Sequence, residues 1–496
     1  MSQKALVIGS GLGGLSAAAT LAKNGVKVHL IEAHDKVGGF ATNYRRGKYR
    51  MESGIHLLAG DHEESLYHEI FDYFEINKNI SFVRPPLFYK CFVNDETYEI
   101  PFEIEACFDY LSKKFPDSRA GLLKYFEVMQ VISKQFKEHS LRKPFIAANS
   151  PFFSAFYSQL SYYWKMSIGT FLDGIITNPD LKMVLLANVT FYHNNPYELS
   201  LVMFMVSQMS YMQGGGYYIQ GGSQVFSDYL KDIILKNSGT VTLKHKAHEF
   251  IVKGKTITEV NYAKVTKPED VITESADYVV MNGARPEVFE TLIKGHDFKT
   301  QEPELGISAN TVYFGLNKPL RELGSTAYMQ LFLQNKANYL SLNANKESYG
   351  ILDYSFMDTK LCADGVYCCE VIQMDHMSQW SIDKNEYKKQ KQMHLENVME
   401  FCESQFKGFK ESVIFTEVST PQTVKRYVHT PQGVIYGYKP TPDFFIKRAS
   451  QFSFYQGAKD ERLSNLYYAS AWSFLPGFTG TLIAGYKAAR EILSSR

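Results

Sequence analysis

The sequence predicts an α/β fold in which a Rossmann-like dinucleotide-binding domain is interleaved with a substrate domain of mixed sheet and helices. Three observations carry this prediction. A β-α-β unit with a glycine-rich loop stands almost at the first residue, further strand-like runs and glycine turns stand in the middle, and a strand, a Pro-Gly loop and a helix end the chain. Because strands, turns and helices typical of a nucleotide-binding fold occur at all three places, we expect insertions between them, at roughly 100–215 and 295–425.

The N-terminal β-α-β unit is complete. Residues Lys4–Ile8 predict a short buried strand, and Leu12–Lys23 predicts a helix rich in alanine and leucine that ends at an Asn-Gly pair. Residues 26–31 predict the second strand, and Glu32 closes it. Because strand, helix, second strand and terminal acid all agree, the pattern indicates a dinucleotide site rather than a glycine turn that serves packing alone.

The loop before the helix carries Gly9, Gly11 and Gly14 at the spacing G-x-G-x-x-G. The first glycine allows a tight turn, the second lets the backbone approach a pyrophosphate, and the third lets helix and strand pack closely. The pyrophosphate then lies on the N–H groups at the positive end of the helix. Glu32 is placed to accept hydrogen bonds from the adenosine ribose. An acid there disfavours a 2′-phosphate, so NAD or FAD is predicted over NADP.

The composition and charge of the chain argue against a nucleic-acid partner, a membrane span and a metal site. The net charge of +1 over 496 residues, without a long basic run, predicts no nucleic-acid partner. The sequence contains no run of about 18 apolar residues, so no membrane-spanning segment is predicted. The six cysteines have no C-x-x-C or zinc spacing, so we expect a reduced, cytoplasmic chain without a metal site. His245 and His248 do not change this, since residues three apart on a strand point to opposite faces.

Several motifs in order along the whole chain resemble one family. They are VIGSGLGGLSAAATLAKNGVKVHLIEAHDKVGG near the N-terminus, GIHLLAG at 54–60, GGGYYIQGGSQVFSDYL at 214–230, ADYVVMNGARPEVF at 276–289, PQGVIYGY at 431–438 and the C-terminal loop and helix. The chain resembles FAD-dependent oxidoreductases of the phytoene desaturase group, and within it the branch of carotenoid isomerases and retinol saturases. The resemblance implies a glutathione-reductase-type FAD-binding domain.

The resemblance also implies which residues hold FAD. The glycine loop and Glu32 belong to the ADP half, a second glycine pair follows the ribityl and flavin side, a strand near Ala247 passes the adenine, and the last helix aims its N-terminus at the flavin. The implied set is Gly9, Ser10, Gly11, Leu12, Gly13, Gly14, Glu32, Ala33, Gly38, Gly39, Ala247, Thr479, Gly480, Thr481 and Leu482. A helix N-terminus suits this position because reduced flavin carries negative charge there.

The interleaving predicts five ranges. These are an FAD-binding part at 1–100, a helical aromatic-rich insertion at 101–213, a second FAD-binding part at 214–295, a substrate-binding sheet domain at 296–425 and a third FAD-binding part with the C-terminal helix at 426–496.

Two residues are catalytic candidates. His56 falls where the resemblance puts the chain under the flavin ring, so it is a candidate proton donor or flavin-tuning group, with Glu52 near it. The alternative is a histidine bonded to backbone in a tight turn. Tyr436 is a candidate for the lining of a substrate tunnel near the ring, and a core aromatic is the alternative.

The segment 143–166 places seven aromatic residues between Phe152 and Trp164, beside Arg142 and Lys143. Aromatic and basic residues together are typical of a peripheral membrane contact. The alternative is a buried helix of the insertion, because the aromatics keep no clean helical period.

The leading functional hypothesis is an FAD enzyme that acts on carbon–carbon double bonds of a long apolar polyene, carotenoid-like or retinoid-like. Saturation, desaturation and cis–trans isomerisation all remain open. A flavin amine oxidase of the same superfamily is the alternative, followed by an apolar-ligand carrier related to the GDP-dissociation inhibitors. No second G-x-G-x-x-G unit is present for a nicotinamide, so the electron donor or acceptor is not assigned.

Overall fold

The computed structural model describes residues 3–54, 56–143, 146, 150–294, 302–333, 348–357, 361, 365–448 and 453–495. The strands are β1 (Lys4–Ile8), β2 (Lys27–Ile31), β3 (Asn43–Arg46), β4 (Tyr49–Glu52), β5 (Leu58–Ala59), β6 (Phe82–Val83), β7 (Tyr89–Val93), β8 (Glu96–Ile100), β9 (Gly216–Ile219), β10 (Thr240–Thr242), β11 (His245–Lys253), β12 (Thr256–Lys264), β13 (Lys267–Ser275), β14 (Tyr278–Met281), β15 (Ser308–Leu316), β16 (Met329–Leu333), β17 (Ser348–Asp353), β18 (Tyr367–Asp375), β19 (Val413–Ser419) and β20 (Leu466–Tyr468).

The α-helices are α1 (Leu12–Lys23), α2 (His68–Tyr73), α3 (Ile76–Asn79), α4 (Ile104–Lys114), α5 (Arg119–Leu141), α6 (Pro151–Phe156), α7 (Ser158–Tyr163), α8 (Ile168–Ile175), α9 (Pro179–Leu185), α10 (Leu201–Gly214), α11 (Ser223–Lys236), α12 (Arg285–Glu287), α13 (Lys384–Gln405), α14 (Phe409–Ser412), α15 (Pro421–Val428), α16 (Pro442–Lys447) and α17 (Gly477–Ser494). Among the helices described, none is long and apolar enough to cross a bilayer.

A five-stranded parallel sheet forms the centre of the Rossmann-like part. Its strand order is β10-β2-β1-β14-β20, so it takes strands from the start, the middle and the end of the chain. Helix α1 lies between the last helix and α11, and every residue from Leu12 to Ala22 is buried. Alanine and glycine on α1 allow this close approach, because they add little volume between the helices. The predicted α/β fold is confirmed.

A second sheet has seven strands in the order β19-β15-β18-β17-β16-β7-β8. It is mixed, because β16 pairs with β7 in parallel while the other neighbours are antiparallel. Strands β7 and β8 come from within the range 1–100, which therefore supplies strands to both sheets. The five predicted ranges otherwise stay a prediction.

The cysteines differ from the sequence expectation in one respect. Cys91, Cys107, Cys369 and Cys402 are free and buried, as expected of a reduced chain. Cys368 is disulfide-bonded, which corrects that expectation for this residue. The two adjacent cysteines differ because neighbouring side chains on a strand point to opposite faces of the sheet.

Candidate active site

One cavity of about 1030 Å³ joins the two sheets. At one end it is lined by the loops that follow the parallel strands, at Gly9, Glu32 and Asn282. At the other end it is lined by side chains of the seven-stranded sheet, among them Leu331 and Ile372. In open parallel sheets, ligands bind outside the carboxyl ends of the strands, so the cavity lies where a dinucleotide is expected.

The glycine loop is fixed by close backbone contacts. Gly9 has a φ of +92°, which a residue with a side chain adopts only with strain. A Cβ on Gly13 would lie 1.8 Å from the carbonyl oxygen of Ala469, and a Cβ on Gly14 would lie 2.1 Å from that of Gly9. The loop can therefore close against β20 only because these positions lack a side chain.

Glu32 holds the loop as well as lining the cavity. Its Oε2 accepts hydrogen bonds from the backbone N–H and the hydroxyl of Ser10, at 2.7 and 2.6 Å. Its Oε1 accepts the N–H of His34 at 2.7 Å. A carboxylate has about four acceptor positions, so one remains for a ribose hydroxyl. The sequence predicted only the ribose contact.

Asn282 is a residue of this loop cluster that the sequence reasoning missed. Its Oδ1 accepts the N–H of Gly14 at 2.8 Å, and its side chain lines the cavity. It follows the buried strand β14 directly, as Glu32 follows β2. A polar residue immediately after a predicted parallel strand is the signal that could have found it.

The second glycine pair lies beside the first loop. Gly38 and Gly39 have φ values of +125° and +59°, and the N–H of Gly38 donates to the carbonyl oxygen of Ser10 at 2.9 Å. Ser10, Gly11, Leu12, Gly13, Ala33, Gly38, Gly39 and Ala247 all line the cavity. The structure thus brings together the predicted residues of the N-terminal loop, the second glycine pair and β11, except that Gly14 does not line the cavity and donates its N–H to Asn282 instead.

The last helix begins two residues earlier than the sequence predicted. It starts at Gly477, with Pro476 as its N-cap, rather than near Thr479. Gly477 and Thr481 line the cavity, whereas Leu482 is fully buried and its carbonyl accepts the hydroxyl of Ser16 at 2.9 Å.

Gly480 also packs inside the protein, because a Cβ there would lie 2.2 Å from the carbonyl oxygen of Leu475. Of the predicted set, Thr479, Gly480 and Leu482 therefore belong to the helix start and its packing, and Thr481 is the member that reaches the cavity. The positive end of the helix still faces the cavity through Gly477.

His56 lines the cavity, and burial lowers its pKa to about 4. Its Nδ1 lies 3.8 Å from Oε2 of Glu370 on β18. The predicted neighbour Glu52 is instead fully buried on β4, where it accepts a hydrogen bond from the side chain of Asn43 at 2.7 Å. Among the described residues, the carboxyl group within 4 Å of His56 is thus that of Glu370, which the sequence analysis did not select.

Tyr436 lines the cavity together with Tyr192 and Tyr211. Burial raises the pKa of the Tyr436 phenol above its usual value, so this group is a neutral hydroxyl at physiological pH. The predicted position in a tunnel lining agrees with this placement. A catalytic role for His56 or Tyr436 stays a prediction.

The residues present fit an FAD molecule. The glycine loop leaves no side chain between the backbone and the cavity, the N-terminus of α1 opens onto it, and Glu32 presents a fixed carboxylate beside it. Positive helix ends and a ribose acid are the chemistry that a dinucleotide requires.

Comparisons with known proteins agree with this site. The family model of the NAD(P)-binding Rossmann-like domain matches residues 7–74. All-trans-retinol 13,14-reductase of Danio rerio is 23% identical and aligns with 99% of this chain and 86% of its own length. 1-Hydroxycarotenoid 3,4-desaturase of Flavobacterium sp. (strain P99-3) is 26% identical over 70% of each chain. The chloroplastic prolycopene isomerase of Daucus carota is 20% identical over 88% of this chain and 72% of its own.

Solved structures show the same fold. An oxidoreductase from Methanosarcina mazei has a TM-score of 0.63 at 15% identity, covering 99% of this chain and 100% of its own. Cyclohexylamine oxidase from Brevibacterium oxydans has a TM-score of 0.63 at 12% identity, covering 100% and 98%. The curated relatives confirm the resemblance to the phytoene desaturase group, near its retinol saturase and isomerase branch.

Proposed function

With retinol reductases, carotenoid desaturases and prolycopene isomerases as its relatives, we propose that this chain is an FAD-dependent oxidoreductase that acts on carbon–carbon double bonds of a long apolar polyene. The observation that carries the proposal is the cavity of about 1030 Å³, which extends from the dinucleotide loop to an apolar sheet face. A cofactor bound at one end and a polyene at the other would meet inside it.

Different residues of the chain would bind different parts of FAD. The glycine loop and the N-terminus of α1 would hold the pyrophosphate, Glu32 the ribose, and the N-terminus of α17 the flavin edge. When bound, FAD supplies hydride chemistry at carbon. Residues 470–472 line the cavity without the acid that many flavoproteins place there, so contacts at that point come from other groups.

The apolar part of the cavity suits a polyene. Leu331, Leu333, Leu352 and Ile372 line it from three adjacent strands. Side chains on adjacent strands form a continuous surface, and each buried CH₂ group contributes about 0.8 kcal/mol to binding. A long hydrocarbon therefore gains more from this surface than a short polar amine does.

The test of the function is product analysis by mass and chromatography. Purified FAD-loaded protein is incubated anaerobically with all-trans and cis polyenes, in the oxidised and in the reduced state. A gain of two hydrogens would identify a saturase, a loss of two a desaturase, and an unchanged mass with altered retention an isomerase. No change in any polyene, with turnover of a primary amine instead, would replace the proposal by the amine oxidase alternative.

Binding of FAD by the protein distinguishes the enzyme hypothesis from the carrier hypothesis. A carrier would bind the polyene without needing the phosphate glycines or the ribose acid. This chain keeps Gly9, Gly11, Gly14 and Glu32, which favours the enzyme. Protein that binds polyene but takes up no FAD would support the carrier.

A peripheral membrane contact would give access to such a substrate. Phe152, Phe156 and Tyr162, on α6 and α7, are 65%, 52% and 68% exposed. The guanidinium of Arg142 lies 4.2 Å from the ring centroid of Phe156. Four neighbouring aromatics are buried instead, as the alternative of a buried helix predicts: Phe153, Tyr157, Tyr163 and Trp164. Exposed aromatics beside a basic side chain suit an anionic membrane surface.

Replacing Phe152, Phe156 and Tyr162 together by serine is expected to weaken binding to vesicles of phosphatidylcholine and phosphatidylglycerol at least about tenfold, because three rings would no longer enter the interface. Cosedimentation measures this. The control is Ile382→Ser, since Ile382 is 97% exposed on a different segment. Equal binding of the triple variant and the control would remove the membrane proposal.

A further inference from the structure

Glu370 is an unusual residue for a strand interior. It lies in the middle of β18 and is 1% exposed. Neither of its carboxyl oxygens accepts a hydrogen bond of good geometry from the described residues, and the Tyr354 hydroxyl and the Glu52 N–H lower its pKa only in part. An ionised carboxylate in this position would lose its hydration with little compensation, so burial favours the neutral acid. Burial accordingly raises its pKa well above the usual value.

The groups around Glu370 reinforce the neutral form. The charge of Glu52 repels a second negative charge, and no described cation acts on Glu370. The other titratable side chains that interact with it are Tyr44, Tyr313, Tyr328, Tyr354, Cys369 and His56. Burial raises the pKa of these four phenols and of the Cys369 thiol. The Tyr354 hydroxyl and the Glu52 N–H oppose the rise in the pKa of Glu370, which burial dominates.

Glu52, which interacts with Glu370, differs from it because its carboxylate accepts several hydrogen bonds. It is also fully buried, but it accepts hydrogen bonds from the N–H of Ser223 at 3.0 Å, from the Ser223 hydroxyl, from Asn43 and from the N–H of Ser53 at 3.2 Å. Burial raises its pKa to about 7, and these donors oppose the rise. When the pair carries one negative charge, these donors favour it on Glu52 and leave the proton on Glu370.

We propose that Glu370 is the protonated acid behind His56, and that it orients the imidazole and resupplies its proton during the reaction on the polyene. The 3.8 Å from Oε2 to Nδ1 is longer than a formed hydrogen bond, and such contacts in ligand-free sites commonly tighten when substrate binds. Donation from Glu370 to Nδ1 fixes the tautomer that carries its proton on Nε2. That nitrogen is the one left for the cavity, which His56 lines.

The step is a proton transfer and rests on the proposed function. A C–H bond forms at the polyene with the carbon's own electron pair, and the Nε2–H bond of His56 breaks, leaving its electrons on nitrogen. In the same step Nδ1 takes the proton of Glu370, so no imidazolate forms, and the Glu370 carboxylate carries the resulting charge until a proton from water restores the acid. Glu370 touches neither substrate nor cofactor in this scheme, so it is a positioning residue.

The first test is infrared spectroscopy of the purified protein, which needs no turnover. At pH 8 we expect a carboxylic acid C=O band that shifts in D₂O and is missing in Glu370→Gln. In Glu52→Gln the band should titrate away at lower pH than in the wild type, because the repelling charge is gone. A wild-type spectrum without any band assignable to Glu370 at pH 8 would overturn the proposal.

The second test compares binding with turnover. Glu370→Gln keeps the shape and a donor for Nδ1 but has no transferable proton, so kcat should fall at least about 100-fold while polyene affinity stays within about threefold. The control is Asp353→Asn, a fully buried acid on the neighbouring strand β17 that accepts the N–H of Ser355 at 3.0 Å. It should retain turnover.

The outcomes of these tests distinguish the role of Glu370 from the proposed function of the protein. Equal loss of kcat in both variants, or a parallel loss of polyene affinity in Glu370→Gln, would mean a structural role and overturn the proposal. If the wild type turns over no polyene, the proposed function falls, while the infrared band still decides whether Glu370 holds a proton.

Discussion

Replacing Gly13 by alanine is expected to prevent stable folding of the Rossmann-like part and to abolish FAD binding. The added Cβ would lie 1.8 Å from the carbonyl oxygen of Ala469 and 2.9 Å from Oδ1 of Asn282. Neither the end of β20 nor the start of α1 can move without breaking the sheet. We expect a loss of about 3 kcal/mol or more, measured as a lower unfolding temperature and an absence of flavin absorbance after FAD is added.

Gly174→Ala is the matched control. Gly174 lies on α8, and a Cβ there meets no atom within 4 Å. Alanine has the higher helix propensity by about 1 kcal/mol, so this variant should be unchanged or slightly more stable. A Gly13→Ala protein that unfolds like the wild type and binds FAD normally would show that the loop does not pack as described.

Replacing Glu32 by alanine is expected to lower FAD affinity roughly tenfold to 100-fold. The change removes a ribose acceptor and also the acceptor of three hydrogen bonds that shape the loop, two from Ser10 and one from His34. A hydrogen bond to a charged group contributes about 1.5–3 kcal/mol. Flavin fluorescence on titration of the apoprotein measures the affinity.

Asp35→Ala controls for loss of an acid in the same loop. Its side chain is 57% exposed and pairs with His34 at 2.8 Å. Surface pairs of this kind contribute less than about 1 kcal/mol, so FAD affinity should stay within a few-fold of the wild type. If Glu32→Ala and Asp35→Ala bind FAD equally well, the ribose acid has no such role and the assignment of this end of the cavity is wrong.

The Rossmann-like core was predictable because its signals are local. The spacing of Gly9, Gly11 and Gly14 and the alternation of buried strand and alanine-rich helix are set by neighbours within one β-α-β unit. The structure places β1, α1 and β2 within one residue of the predicted ranges. The one boundary error in this group, at Gly477, arose because Pro476 and Gly477 were assigned to the loop.

The chemistry beside His56 was not predictable in the same way. The sequence places Glu370 in an apolar run, where it carries no motif, and only the pairing of β15 with β18 and the return of the chain after β4 bring it to the histidine. Contacts between residues over 300 positions apart leave no periodic signal. Asn282 differs in this respect, because its position directly after a strand is a local feature.

The contribution of β7 and β8 to the second sheet could not be predicted from the sequence for a similar reason. The antiparallel pair β7–β8 enters this sheet through its parallel partner β16, which is far along the chain. Register between distant strands depends on tertiary packing rather than on local pattern.

The measurement that tests the account most directly is a visible difference spectrum of FAD-loaded protein titrated with an all-trans polyene. If cofactor and polyene share one cavity, the flavin bands should shift saturably with added polyene. Ile372→Asp, which places a charge in the apolar lining, should lose the shift, and Leu123→Asp, on the exposed side of α5, should keep it. Polyene that binds tightly without any change in the flavin bands would contradict the shared cavity and with it the proposed function.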